Sequence, residues 1–162
     1  MVTILLLLGK ASSGAANSSS VEDTPALYVD ATLDHDHCIT GLGCIFKVGP
    51  HRIIASEKNL KPGASSPIFV EAQALLHGIS WCLSSQLKPS FIFTDCLNLV
   101  SKVNRNWQDN SALSSLVAQI RHSFSDFPGV SFQYLPRQLN TSAHFLAKEA
   151  IRLREDGHED SY

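Results

Sequence analysis

The sequence predicts a single α/β domain in which an antiparallel run of strands comes first and strands then alternate with helices. Three observations carry that expectation. Apolar residues alternate through "ALYVDATLD", with Leu27, Val29, Ala31 and Leu33 on one side and Tyr28, Asp30 and Thr32 on the other. Two more strand-like runs follow at hairpin distance, and connections that short join antiparallel neighbours. From residue 66 the apolar period lengthens to that of a helix, and short strand-length runs then recur between helical ones. The expected order is β-β-β-α-β-α-α-β-α.

The elements follow one another as their residues dictate. "CITGLGCIFKVG" and "RIIASEKNLK" read as the second and third strands, joined by the turn "GPH". "SPIFVEAQALLHGISWCLSS" opens with Ser66 and Pro67 as start signals and continues as a long, largely buried helix. "SFIFTD" is a continuous apolar run, as expected of a central strand covered on both faces. "CLNLVSKVNRN" and "SALSSLVAQIRHSF" are amphipathic helices separated near Trp107, and "VSFQYLP" is the last strand. "NTSAHFLAKEAIRLR" closes the domain as a helix with Asn140 as its expected N-cap.

The organised region spans residues 24–154, and 162 residues suit one domain rather than two. Residues 1–23 read as a flexible N-terminal tail and 155–162 as an acidic C-terminal tail. The apolar "ILLLL" at 4–8 lacks a preceding basic region and is far short of the ~20 residues of a membrane span. Neither a signal peptide nor a transmembrane segment is expected, so the reading is an intracellular protein, nuclear or cytoplasmic, and a monomer. The formal charge of −2 announces no nucleic-acid binder. Glu155, Asp156, Glu159 and Asp160 sit in the tail, however, which leaves eleven acids against thirteen Lys and Arg in the rest. Cys38, Cys44, Cys82 and Cys96 have no CxxC spacing and lie in apolar runs, as buried free thiols of a reducing compartment do.

Some polar residues stand where packing alone would not put them. Asp30 interrupts a strand expected to be central, where aspartate is disfavoured. Glu71 lies in the first turns of a helix with Ala74 and Leu75 beside it, and so on or near the sheet-facing side. Asp95 ends "FIFTD", at the carboxyl end of a strand, where α/β sheets place their chemistry. Three carboxylates converging there would repel and protonate unless a divalent metal joined them. Taken singly, Asp95 could instead cap the following helix and Glu71 could be a favourable charge at a helix start. The denser "DHDHC" at 34–38 falls between two strands and reads as a polar hairpin tip. A metal site through His35, His37 and Cys38 is the alternative, but their spacing matches no closed four-ligand pattern.

The series "YVDAT", "FVEAQALLHGI", "FIFTDCLNLV" and "LPRQLNTSAHFLAKEA" resembles the ribonuclease H domain, in the retroelement-derived, reverse-transcriptase-associated form common in plant genomes. The likeness covers about residues 26–153, with four motifs in order. It implies a five-stranded mixed sheet, its first three strands antiparallel, flanked by helices. It also implies hydrolysis of the RNA strand of an RNA–DNA hybrid with two Mg²⁺ or Mn²⁺ ions. Asp30 would be shared by both ions, while Glu71 and Asp95 would each hold one.

Three departures bear on activity. His144 stands where the catalytic pattern NxxADxLA has a fourth aspartate and is the fourth catalytic candidate beside Asp30, Glu71 and Asp95; as a neutral nitrogen ligand it suits Mg²⁺ poorly, and the alternative is an exposed helix residue near a vestigial site. "SSPIF" before Glu71 lacks the polar residues that read a hybrid's 2′-hydroxyls. The link "VNRNWQDNSA" offers only Arg105, with Lys102 just before it, in place of a basic protrusion. Trp107 there is a packing anchor or a base-stacking platform. Arg137, in "LPRQLN", is the best single candidate for a phosphate contact or for assisting product departure, against a plain surface arginine. Two functions therefore stand side by side: a metal-dependent nuclease on RNA–DNA hybrids, and a domesticated module that binds nucleic acid or protein without cutting.

Overall fold

A computed structural model of the chain describes residues 2–4 and 23–159. Its strands are β1 (Val2–Ile4), β2 (Pro25–Asp34), β3 (Ile39–Val48), β4 (Arg52–Pro62), β5 (Phe91–Thr94) and β6 (Ser131–Tyr134). The helices are α1 (Pro67–Ser84), α2 (Leu97–Asn104), α3 (Ala112–Ser123) and α4 (Thr141–Glu159). From residue 25 onward the order is the one expected. The five strands β4-β3-β2-β5-β6 form the mixed sheet, with β2, β3 and β4 antiparallel and β5 and β6 parallel to β2. Val2–Ile4, within the segment read as a tail, adds antiparallel to residues 55–57 at the β4 edge; residues 5–22 lie outside the described residues. At the other end the backbone of α4 runs on to Glu159, into the segment read as acidic tail. None of the described helices is long and apolar enough to cross a membrane.

The period-two pattern of the strands decides which helix lies where. Leu27, Val29, Leu42, Cys44 and Phe46 point to one face and make a core with Val70, Leu75 and Ile79 of α1, Leu99 and Val103 of α2, and Val117 and Ile120 of α3. Each fully buried aliphatic side chain in that layer contributes roughly 1.5–3 kcal/mol. The opposite face of β3 carries Gly41 and Gly43, and α4 lies directly on them. A Cβ on Gly43 would stand 2.1 Å from the Ala143 carbonyl oxygen, and one on Gly41 2.0 Å from that of Ala147. Ala143 and Ala147, both fully buried, complete this close backbone contact.

Because α4 crosses β3, it leaves β5 uncovered on its side. Phe91 and Phe93 are therefore half-buried, not covered on both faces as expected, and they form a ladder with Tyr28 and Lys47. The thiols also divide differently from the sequence reading. Cys44 and Cys82 are buried, but Cys38 is exposed at the hairpin, with φ of 52°, and Cys96 is half-buried. All four are free.

Gly43→Ala would drive a methyl group into the α4 backbone and is expected to destabilise the fold by about 3 kcal/mol. Urea denaturation measures this, and an unchanged midpoint would contradict the close contact between β3 and α4.

Candidate metal and nucleic-acid site

The site forms where two strands part. β2 and β5 pair only from Ala26↔Phe91 to Tyr28↔Phe93. Beyond that point the edge of β2 has no strand beside it, and its polar groups need other partners. Asp30 lies just past the split, 2% exposed and directly opposite Gly43 on β3. A side chain at 43 would run into the α4 backbone at Ala143 and Ala147.

Glu71 reaches the split from α1, where its carboxylate lies beside the Ala31 backbone N–H and the Asp30 side chain. Asp95 arrives from the end of β5. Its side chain does not cap α2: Cys96 is the N-cap residue and makes no side-chain capping bond, so the alternative of Asp95 as a cap is set aside. The Glu71 charge at a helix start is likewise insufficient, since the carboxylate turns to β2. Among the described residues, Asp30, Glu71 and Asp95 form the one group of three whose ligand atoms lie within 4.8 Å of one another.

The electrostatics are those of a crowded, half-dry cluster. Burial, followed by the charge of Asp30, pushes the Glu71 carboxyl up to about 10. Asp95 is raised as well, first by burial and then by Asp30, with Arg137 and His144 pulling the other way. Glu71 Oε2 is buried without a hydrogen-bond partner. An orphaned oxygen among three carboxylates fits a hard divalent cation, which would accept oxygen ligands and remove the repulsion.

His144 belongs to the site but not to the carboxylate cluster. Its Nδ1 lies 2.6 Å from Asp30 Oδ2, and its side chain is 24% exposed. Since a carboxylate accepts, Nδ1 carries the proton and donates. Arg137 places Nε 4.0 Å from Asp95 Oδ2 and is 73% exposed. With Tyr134, Pro67, Val70, Glu71 and Asp95 it lines a cleft of about 360 Å³. Lys102 and Arg105 do not line it. They stand at the far end of α2, roughly 10 Å along the helix from Asp95, and the Lys102 ammonium sits 3.7 Å from the centre of the Trp107 ring.

Trp107 itself packs against the core, as an anchor does. The link around it is held by Arg121, which donates to the carbonyls of Val103, Lys102, Arg105 and Trp107. In the hairpin "DHDH", the ring and backbone nitrogens of His37 bond the Asp34 carboxylate, and no metal-ligand group of three forms there among the described residues.

Two features escaped sequence reasoning. Asn140 stands at the N-cap position of α4, as expected, and its carbonyl accepts from the His144 N–H, but its side chain is buried and Nδ2 donates to the Val29 carbonyl at 2.9 Å. The signal was present, since Asn140 precedes the helix that carries His144, but its partner is 111 residues away. Arg121 was read only as part of an amphipathic helix, and nothing in its neighbours foretold four carbonyl partners.

A family model described as reverse transcriptase-like matches residues 28–150. No curated protein is significantly similar in sequence. Among solved structures, RNase H1 of the halophilic archaeon Halobacterium salinarum superposes with a TM-score of 0.71 at 19% identity, over 80% of this chain and 98% of that one. The N-terminal RNase H domain of a Mycobacterium tuberculosis protein, solved as a fusion with maltose-binding protein, gives 0.70 at 19%, over 83% and 98%. LC11-RNase H1, isolated from compost and solved in complex with RNA/DNA hybrid, gives 0.70 at 17%, over 81% and 99%. At such identities the likeness establishes the fold.

Glu71 sets a pH dependence whose sign is fixed. The unfolded chain releases its proton near 4.5, whereas the folded, metal-free protein keeps it to about 10. Stability of the metal-free protein is therefore expected to fall as pH rises between those values, and Asp95 acts in the same sense. Glu71→Gln should flatten the decline. Thermal melts with chelator from pH 5 to 9 measure it, and a wild-type Tm that rises across this window, unaltered by Glu71→Gln, would contradict the account.

Proposed function

The chain belongs to the reverse transcriptase-like family, and from that premise we propose that it is a ribonuclease H-type nuclease that hydrolyses the RNA strand of RNA–DNA hybrids. The observation that carries this reading is the meeting of Asp30, Glu71 and Asp95 at the β2–β5 split of an RNase H fold. These residues would hold two Mg²⁺ or Mn²⁺ ions, Asp30 shared and Glu71 and Asp95 holding one each. When bound, such ions neutralise charge on a phosphodiester and make water a better nucleophile.

The chain's own side chains supply the rest. His144 fixes one oxygen of Asp30 by donating to it. Arg137 presents an exposed guanidinium beside Asp95, at the rim of the cleft, where an entering phosphate meets it. Lys102 and Arg105 add phosphate contacts farther along, with Lys102 partly committed to Trp107. With so few cations, affinity for a hybrid is low and falls steeply with salt. That one of the structural neighbours was solved with RNA/DNA hybrid supports the substrate class.

A second reading keeps one observation in its favour. His144 brings no negative charge to the site and occupies an oxygen of Asp30, which weakens the claim of the cluster on Mg²⁺. On that reading the chain is a domesticated module that binds nucleic acid or protein without cutting.

Cleavage of an end-labelled RNA–DNA hybrid in low salt separates the two. Wild type is expected to cut with Mn²⁺ and, more slowly, with Mg²⁺, and Asp95→Asn to lower the rate more than about a hundredfold. A folded wild type that cuts with neither metal would sink the nuclease reading and leave the binding module.

A further inference from the structure

The split between β2 and β5 is approached from both faces of the sheet. From one, the Glu71 carboxylate lies beside the Ala31 N–H. From the other, the amide of Asn140 takes the Val29 carbonyl at 2.9 Å. Val29 and Ala31 are two apart on the strand and present their backbone groups to the same edge, with Asp30 between them. The backbone carbonyl of Asn140 in turn accepts from the His144 N–H at 3.2 Å, in the first turn of α4. One side chain thus joins the strand on one side of Asp30 to the turn that carries the histidine bonded to it.

We propose that Asn140 is the positioning residue of the carboxylate site, standing in for the missing strand so that His144 is held on Asp30. The assignment rests on the reading of Asp30 as a metal ligand, but the contact it explains is in the protein alone. Three facts favour it over plain packing. Asn140 is 1% exposed, where an apolar residue would be the ordinary occupant. Its Oδ1 is buried without a partner, so the residue is kept at a desolvation cost that its amide nitrogen alone must offset. The same lack of a partner means that Oδ1 does not cap α4, the usual task of asparagine at this place. The side chain is committed to β2, and a carboxylate, which only accepts, or an aliphatic group of similar size could not make that bond.

The test reads the His144 hydrogen bond directly. In ¹⁵N-labelled full-length protein without metal, the Nδ1–H of His144 is expected as a slowly exchanging, downfield proton resonance, assigned by its disappearance in Asp30→Asn. Asn140→Ala is expected to lose it while remaining folded. Ile120→Val and Ile120→Ala, core truncations in α3 that lower stability on the other face of the sheet, are expected to keep it. Should Asn140→Ala not fold, Asn140→Asp, which keeps the shape and removes the donor, is read by the same signal. A resonance at wild-type position and intensity in the Asn140 variant overturns the proposal, and so does a wild type that lacks it. A protein that never cuts a hybrid would remove the nuclease reading, whereas this signal would still decide the role of Asn140.

Discussion

The parting of β2 from β5 after the Tyr28–Phe93 pair is the constraint on which the site depends. A parallel pair that ends early leaves backbone donors and acceptors at the middle of a sheet, where water reaches only partly and each unmet group is costly. Side chains from outside the sheet must meet them. Asn140 meets the Val29 carbonyl and Glu71 lies beside the Ala31 N–H from the opposite face, so that α1 and α4 come to the same stretch of β2. Asp30 lies between these two backbone groups. The glycines of β3 serve the same end, because only a bare backbone lets α4 come close enough for His144 to reach Asp30.

The cluster that results is electrostatically unfavourable by itself. Three carboxylates within 4.8 Å, one of them with an orphaned oxygen, are held together by a framework whose stability comes from elsewhere, from the apolar layer beneath α1 and α3. Local rules are broken here and obeyed in the rest of the fold, which is the usual mark of a functional site. His144 softens the crowding from one side and Arg137 from another. Neither removes it, and Glu71 takes a proton in the absence of a cation.

Much of this was legible in the residues. Alternation in 27–33 named the strand and made Asp30 stand out, and the change of period at 66 separated the meander from the alternating half. The order of elements followed from these changes of period and from the short connections of the first three strands, whereas the five-stranded mixed sheet came from the resemblance that the four motifs carry. The limits were of two kinds. Facing surfaces were hidden: that α4 crosses β3 and leaves Phe91 and Phe93 half-exposed depends on Gly41 and Gly43 meeting Ala143 and Ala147, about a hundred residues apart. Side-chain bonds beyond the local pattern were hidden too: Asn140 carries the ordinary signal of a cap while its partner lies 111 residues away, and Arg121 that of a helix surface while its partners are carbonyls of the preceding link.

The central claim is that Asp30, Glu71 and Asp95 form one divalent-metal site. Titration of the full chain with Mn²⁺ at pH 7.5, with free ion followed by electron paramagnetic resonance, tests it most directly. The account predicts saturable binding by wild type and its loss in Asp30→Asn, with both proteins folded. Equal binding by the two, or none by either, would contradict it.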